Sequence, residues 1–116
     1  MLLHLDLKNE IAARYTDELA VDPAVAQDAL TVTFLNGLVV ELRYLNADEY
    51  SMQWLWREAL LRIDTAPVHP ELATFPNHFH DAEGVVKADM LTVPGREPWE
   101  NVRALLDTIL GAPLLC

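Results

Sequence analysis

The stretch from Leu30 to Asp64 constrains the fold more than any other part of the chain, because it carries two hairpin signals in succession. Leu30-Thr31-Val32-Thr33-Phe34 alternates apolar and polar side chains, and after Leu35-Asn36-Gly37 a second run, Leu38 to Leu45, is rich in Val and Leu. Asn36-Gly37 suits a tight turn that needs positive φ, which glycine adopts without steric cost. Tyr50, Met52, Trp54 and Trp56 then share one parity, and Arg57-Glu58 separates them from Ala59-Leu60-Leu61-Arg62-Ile63-Asp64. Links this short join antiparallel neighbours, since a parallel pair needs a crossover of about a dozen residues or more. The expectation is an antiparallel meander of about four to five strands.

Strand alternation assigns each side chain to a face. Leu30, Val32, Phe34, Leu38, Val40, Leu42, Tyr50, Met52, Trp54, Leu61 and Ile63 should point inward, leaving Thr31, Thr33, Glu41, Arg43, Ser51, Gln53, Arg62 and Asp64 on a polar face. An apolar sheet face needs a cover. Near the N-terminus Leu7, Ile11, Tyr15 and Leu19 recur every four residues, with Asp6 available as N-cap, which predicts a helix reaching about Ala20. Asp22-Pro23 breaks that pattern and opens a connector to Ala29. At the other end Trp99, Val102, Leu105, Leu106, Ile109 and Leu110 form a helical stripe that Gly111 and Pro113 terminate. Val85-Val86-Lys87 adds a short edge strand. The fold class is therefore α+β, with an N-terminal and a C-terminal helix packed on the apolar face of an antiparallel meander.

A chain of 116 residues has room for one core, so residues 1–116 are expected to form a single domain. Its formal net charge of −10 repels phosphates at long range and argues against a general nucleic-acid coat protein. Contact with RNA then depends on basic groups gathered locally. Cys116 is the sole cysteine, which excludes an intramolecular disulfide and a cysteine-based zinc site and fits a cytoplasmic protein. The opening residues are too short and too soon charged for a signal peptide, and no apolar run approaches the roughly 18 residues of a membrane span.

Residues 65–84 read as a long loop, and this segment holds three of the four histidines, His69, His78 and His80, among Pro67, Pro70 and Pro76. Proline fixes φ, so such a loop holds its imidazoles in a defined arrangement. The whole segment resembles the core of the TumE family, small toxin-like proteins encoded in toxin and antitoxin pairs. That core reads Tyr-Ser, then Arg-x-Asp-Asn-Ala-Pro-His-His-Pro-Glu, then Thr-Phe-Pro-His-His-x-His. Tyr50-Ser51 match its start. Arg62, Asp64, Ala66, Pro67, His69, Pro70 and Glu71 match its middle, and Thr74, Phe75, Pro76, His78 and His80 match its end. Val68 and Asn77 stand where the family pattern has histidines.

The resemblance implies a toxin, with an antitoxin bearing a DNA-binding domain as partner and RNA as one target. Metal-independent RNA cleavage needs a base, an acid and a cation for the phosphate charge. His69, His78, His80 and Glu71 suit the first two roles, since an unperturbed imidazole titrates near about 6.5. Arg62 with Arg43 suits the third; Asp64 shares a face with Arg62 and can orient it or a histidine, and Tyr50 can add a hydroxyl near Arg62. His78 and His80 are the foremost candidates. A different chemistry places a divalent transition metal on His69, His78 and His80, with Glu71 or Asp81 beside them, because His78 and His80 point the same way in an extended segment. In a third reading the domain has no chemistry and docks a partner through its loop and sheet edge, with Trp54, Trp56 and Trp99 either as anchors or as core. The sheet edges also allow a homodimer. His4 lies apart from the cluster and reads as an ordinary residue.

Overall fold

The computed structural model describes residues 2–115, so Cys116 lies outside the described residues. The elements run α1 (Leu2–Arg14), β1 (Ala24–Ala26), β2 (Ala29–Thr33), β3 (Val39–Asn46), β4 (Glu49–Trp56), β5 (Ala59–Asp64), β6 (His78–His80), β7 (Val86–Ala88) and α2 (Pro98–Gly111). All seven strands form one antiparallel sheet in sequence order, an unbroken meander. The two expected hairpins form its centre. Gly37 takes φ 94° in the first turn, where the Asn36 side chain accepts a bond from the Leu38 N–H at 3.0 Å. Arg57 takes φ 56° in the two-residue link that pairs Trp56 with Ala59.

The sheet is wider than the sequence suggests. Three-residue strands are too short to show a period, and each of the added strands is stabilised by a neighbour rather than by its own pattern. Ala24–Ala26 folds back onto β2 through a turn in which Gln27 has φ 55°. Within the stretch read as a loop, His78–His80 becomes a strand because it lies between β5 and β7, the latter being the expected edge strand shifted by one residue.

Helix α1 also differs from expectation. It starts at Leu2, so Asp6 lies inside it rather than capping it, and it ends at Arg14 instead of running to Ala20. The Thr16 hydroxyl turns back to the Ala12 carbonyl at 2.9 Å, and Leu19 leaves the helix to bridge Phe34. The recurrence of Leu7, Ile11, Tyr15 and Leu19 thus records burial beyond the helix end, since Leu19 packs on the same core from non-helical backbone. Helix α2 matches its stripe, with Pro98 in its first turn and Val102, Leu105, Leu106 and Ile109 buried. Asn101 is buried too, and its amide exchanges two bonds of 3.0 Å with the Val93 backbone.

Every residue expected on the apolar face is buried, and Leu7 and Ile11 of α1 with Val102, Leu105, Leu106 and Ile109 of α2 join them in one cluster. Each large aliphatic side chain buried in this way contributes about 1.5–3 kcal/mol. Trp54 sits at the centre, stacked on Phe79 with ring centroids 6.0 Å apart, its indole N–H donating to the Pro113 carbonyl at 2.7 Å. It is a core residue and offers nothing to a partner, while Trp56 and Trp99 are partly buried against the same cluster.

Candidate functional site

The site follows from the β5–β6 register, in which Asp64 faces His78, Ile63 faces Phe79 and Arg62 faces His80. Alternation sends Ile63 and Phe79 into the core and leaves the charged and imidazole side chains together on the other face. The Asp64 carboxylate is the hub. Its Oδ1 accepts from the Ala66 N–H at 3.0 Å and lies 3.1 Å from His78 Nε2; its Oδ2 pairs with Arg62 Nε at 2.8 Å and lies 3.6 Å from His80 Nε2. Arg62 Nη2 is also 3.2 Å from His80 Nε2. A guanidinium only donates, so that contact requires the lone pair of a neutral imidazole at Nε2. Burial pushes the His80 pKa down, and the neighbouring Arg62 and His78 push it the same way against the opposing pull of Asp64.

His69 comes over this group from the loop, its ring centroid 4.8 Å from His78 and 6.4 Å from His80, while His78 and His80 are 4.8 Å apart. The three differ in access. His78 is 1% exposed and its Nδ1 lies 3.2 Å from the Pro76 carbonyl, whereas the His80 and His69 side chains are 24% and 29% exposed. Glu71, itself open to solvent, stands 3.5 Å from His69 Nδ1 and reaches the cluster only through that ring.

Beside the cluster the sheet forms a shallow groove of about 710 Å³, lined in part by Glu41, Arg43, Ser51, Gln53, Arg62 and Asp64. Arg43 pairs with Glu41 at 2.9 Å and sits across from Ser51, which in turn sits across from Asp64. Tyr50 keeps the inward position that strand alternation assigns it, so its hydroxyl does not lie near Arg62 as the site reading expected. Its side chain is buried on the apolar face, stacked on Tyr44 at 4.8 Å, with its hydroxyl 2.7 Å from the Thr92 hydroxyl and its pKa pushed up to about 12 by burial. Strand parity gives the reason: Ser51, adjacent to Tyr50, is the residue that faces Asp64, and the same parity applied to the Tyr-Ser pair would have selected it.

Among the described residues the group able to hold a metal ion is Asp64, His78 and His80, with ligand atoms within 4.8 Å of one another, so Asp64 takes the place the sequence reading gave to His69. Asp81 is engaged elsewhere. It pairs with Lys87 at 2.8 Å, which pushes its pKa down, and accepts the Glu83 and Val85 N–H groups in the β6–β7 turn.

The two departures from the family pattern fall outside the cluster. Asn77 is buried and donates to Asp89 at 2.8 Å and to the Thr92 carbonyl at 2.9 Å, in a network where the Thr92 hydroxyl also bonds Asp89. Val68 is exposed. His4 is a core histidine: buried, its pKa pushed down by that burial, it accepts the Tyr44 N–H at 3.0 Å.

The fold and the motif describe a small α+β domain with a histidine cluster on its sheet, and the sequence comparison supplies its class, a toxin. The chain belongs to the toxin TumE family, whose model, described as Toxin TumE, matches residues 3–112 and so reaches from α1 into the segment after α2. No curated protein and no solved structure matches the chain. No helix among the described residues is long and apolar enough to cross a membrane.

Proposed function

We propose that this toxin acts on RNA, cleaving the phosphodiester backbone by metal-independent acid–base chemistry at the β5–β6 cluster. The observation that supports this reading is the convergence of Arg62, Asp64, His78 and His80, with His69 alongside, next to an open groove. In this reaction the ribose 2′-oxygen attacks the adjacent phosphorus as a base removes its proton, and an acid protonates the departing 5′-oxygen. His80 and His69 are the accessible pair and take these two roles. Arg62 neutralises the charge that builds on the phosphate oxygens, with Arg43 further along the groove. At rest the Arg62 guanidinium covers the His80 lone pair; turning toward a phosphate uncovers the base. Asp64 and the buried His78 position the exposed groups, and Ser51 adds a hydroxyl beside them.

An antitoxin with a DNA-binding domain is the partner in this reading, a cytoplasmic location follows from an RNA substrate, and the terminal strands β1 and β7 offer a route to a homodimer. The net charge of −10 favours a second reading, a non-catalytic domain that docks a basic partner. Inducing the wild-type chain and His80→Ala in a bacterial host at matched soluble levels, with purified chain added to RNA in parallel, tests the proposal. The wild type should arrest growth and cut RNA, and the variant should lose about 10²–10⁴-fold in cleavage rate. Intact RNA with both proteins would leave the docking reading in its place.

A further inference from the structure

We infer that Asp64, His78 and His80 form a site for a divalent transition ion of the zinc class, and that the ion competes with Arg62 for the same atoms, so that its binding switches the proposed acid–base site off. The inference builds on the function proposed above, but its central claim is about binding. Two histidine nitrogens and one carboxylate are a donor set that such ions accept, leaving further positions for water. The backbone has already assembled it. His78 and His80 project from the same side of β6, the register sets Asp64 opposite His78, and the donor atoms of all three lie within 4.8 Å of one another. A zinc ion held at about 2.0–2.2 Å from each ligand spans such a separation with small rotamer changes.

A second observation concerns the far side of the His78 ring. A metal-bound imidazole characteristically donates its other N–H to a carbonyl or carboxylate, which fixes the tautomer and aims the lone pair. His78 Nδ1 lies 3.2 Å from the Pro76 carbonyl, and its Nε2 points at the Asp64 carboxylate 3.1 Å away. A proton on Nε2 bridges the ring to Asp64 in the metal-free chain; an ion between the two takes that proton's place, and a proton on Nδ1 donated to Pro76 then holds the Nε2 lone pair in line. The position is contested by Arg62, whose Nε and Nη2 contact Asp64 and His80. Its side chain is 44% exposed and can swing to solvent, while His78 is fixed by burial. An ion bound here occupies the His80 lone pair and expels the guanidinium, removing both the base and the phosphate-binding cation.

Titrating zinc chloride into the purified full chain, followed by calorimetry, tests the inference. One ion per chain is expected, with affinity reduced at least about tenfold in His80→Ala and in Asp64→Asn, and unchanged in His69→Ala. Arg62→Gln is the decisive variant: by removing the competitor it should tighten binding by about tenfold, an outcome that no misfolded protein gives. Absence of stoichiometric zinc, equal affinity in wild type and His80→Ala, or weaker binding in Arg62→Gln would each overturn the site. Added zinc should stop RNA cleavage by the wild type, and faster cleavage would overturn the inhibitory role. A chain that binds zinc as described yet never cuts RNA retains the site and refutes the proposed reaction; one that cuts RNA but ignores zinc does the reverse.

Discussion

Strand β6 puts two kinds of chemistry into three consecutive residues. Phe79 points one way and stacks on Trp54 in the core, while His78 and His80 point the other way and meet Asp64. The same division runs through β5, where Leu61 and Ile63 are buried and Arg62 and Asp64 carry charge on the opposite face. One face gains its free energy from burial, which tolerates small shifts in position. The other depends on directional contacts near 3 Å between ionisable groups. The comparison shows how the apolar face serves the polar one: packing at Phe79 and Ile63 fixes the register, and the register brings the imidazoles to the carboxylate.

The largest expected effect breaks the apolar side of that comparison. Trp54→Ala removes a fully buried indole, its stacking on Phe79 and its bond to Pro113, and should lower the unfolding free energy by about 3–5 kcal/mol. Denaturant titration measures it. Any activity of the variant should fall with the folded fraction alone, and a preserved stability would mean that the core does not hold the register as described.

On the polar side the two strand histidines should separate. His78→Ala takes a buried partner from Asp64 and should cost about 1–3 kcal/mol, whereas His80→Ala, being partly exposed, should stay within about 0.5 kcal/mol. Both should lose RNA cleavage. Equal stability losses would show that His78 is no more a structural support than His80.

Much of this arrangement was legible in the sequence because alternation is strong where strands are long. The eleven inward residues of β2 to β5 and their turns, the outward Arg62 and Asp64, and the stripe of α2 were all readable. The same rule fails for three-residue strands, which is why residues 78–80 read as loop in the sequence although they pair with β5 in the fold. Asp64 was visible as a neighbour of Arg62, but its place as the common partner of His78 and His80 depends on contacts across two strands that no local pattern encodes. The N-terminal spacing misled because burial continues past Arg14, where the helix stops. Asn77 reads as a lost family histidine, and its role with Asp89 becomes apparent only when residues 77 and 89 are brought together by the β6–β7 hairpin.

Tyr50→Phe sharpens the assignment of faces with a smaller effect. The hydroxyl bonds Thr92 on the buried side, so its loss should cost about 1 kcal/mol in denaturant unfolding and leave RNA cleavage unchanged. A selective loss of cleavage at full stability would return Tyr50 to the working face. Ser51→Ala is the complementary change, expected to alter cleavage while leaving stability within about 0.5 kcal/mol.

The smallest effect lies where the two helices meet, remote from the histidines. Asp107 accepts from Arg14 at 2.7 Å and from the Tyr15 hydroxyl at 2.6 Å, and the Arg14 guanidinium first, with the Tyr15 hydroxyl adding to it, holds its pKa below the ordinary carboxylate value. The folded chain therefore binds a proton at Asp107 less readily than the unfolded chain does. The stabilisation is complete above the ordinary carboxylate pKa of about 3.9 and is lost as pH falls through the lower folded value. Asp107→Asn should lower stability slightly at neutral pH and flatten its decline in acid, and added salt should shrink the difference because the pair is solvent-exposed. Stability profiles of the two proteins that run parallel from pH 7 to pH 3 would mean that this contact contributes nothing to holding α1 against α2.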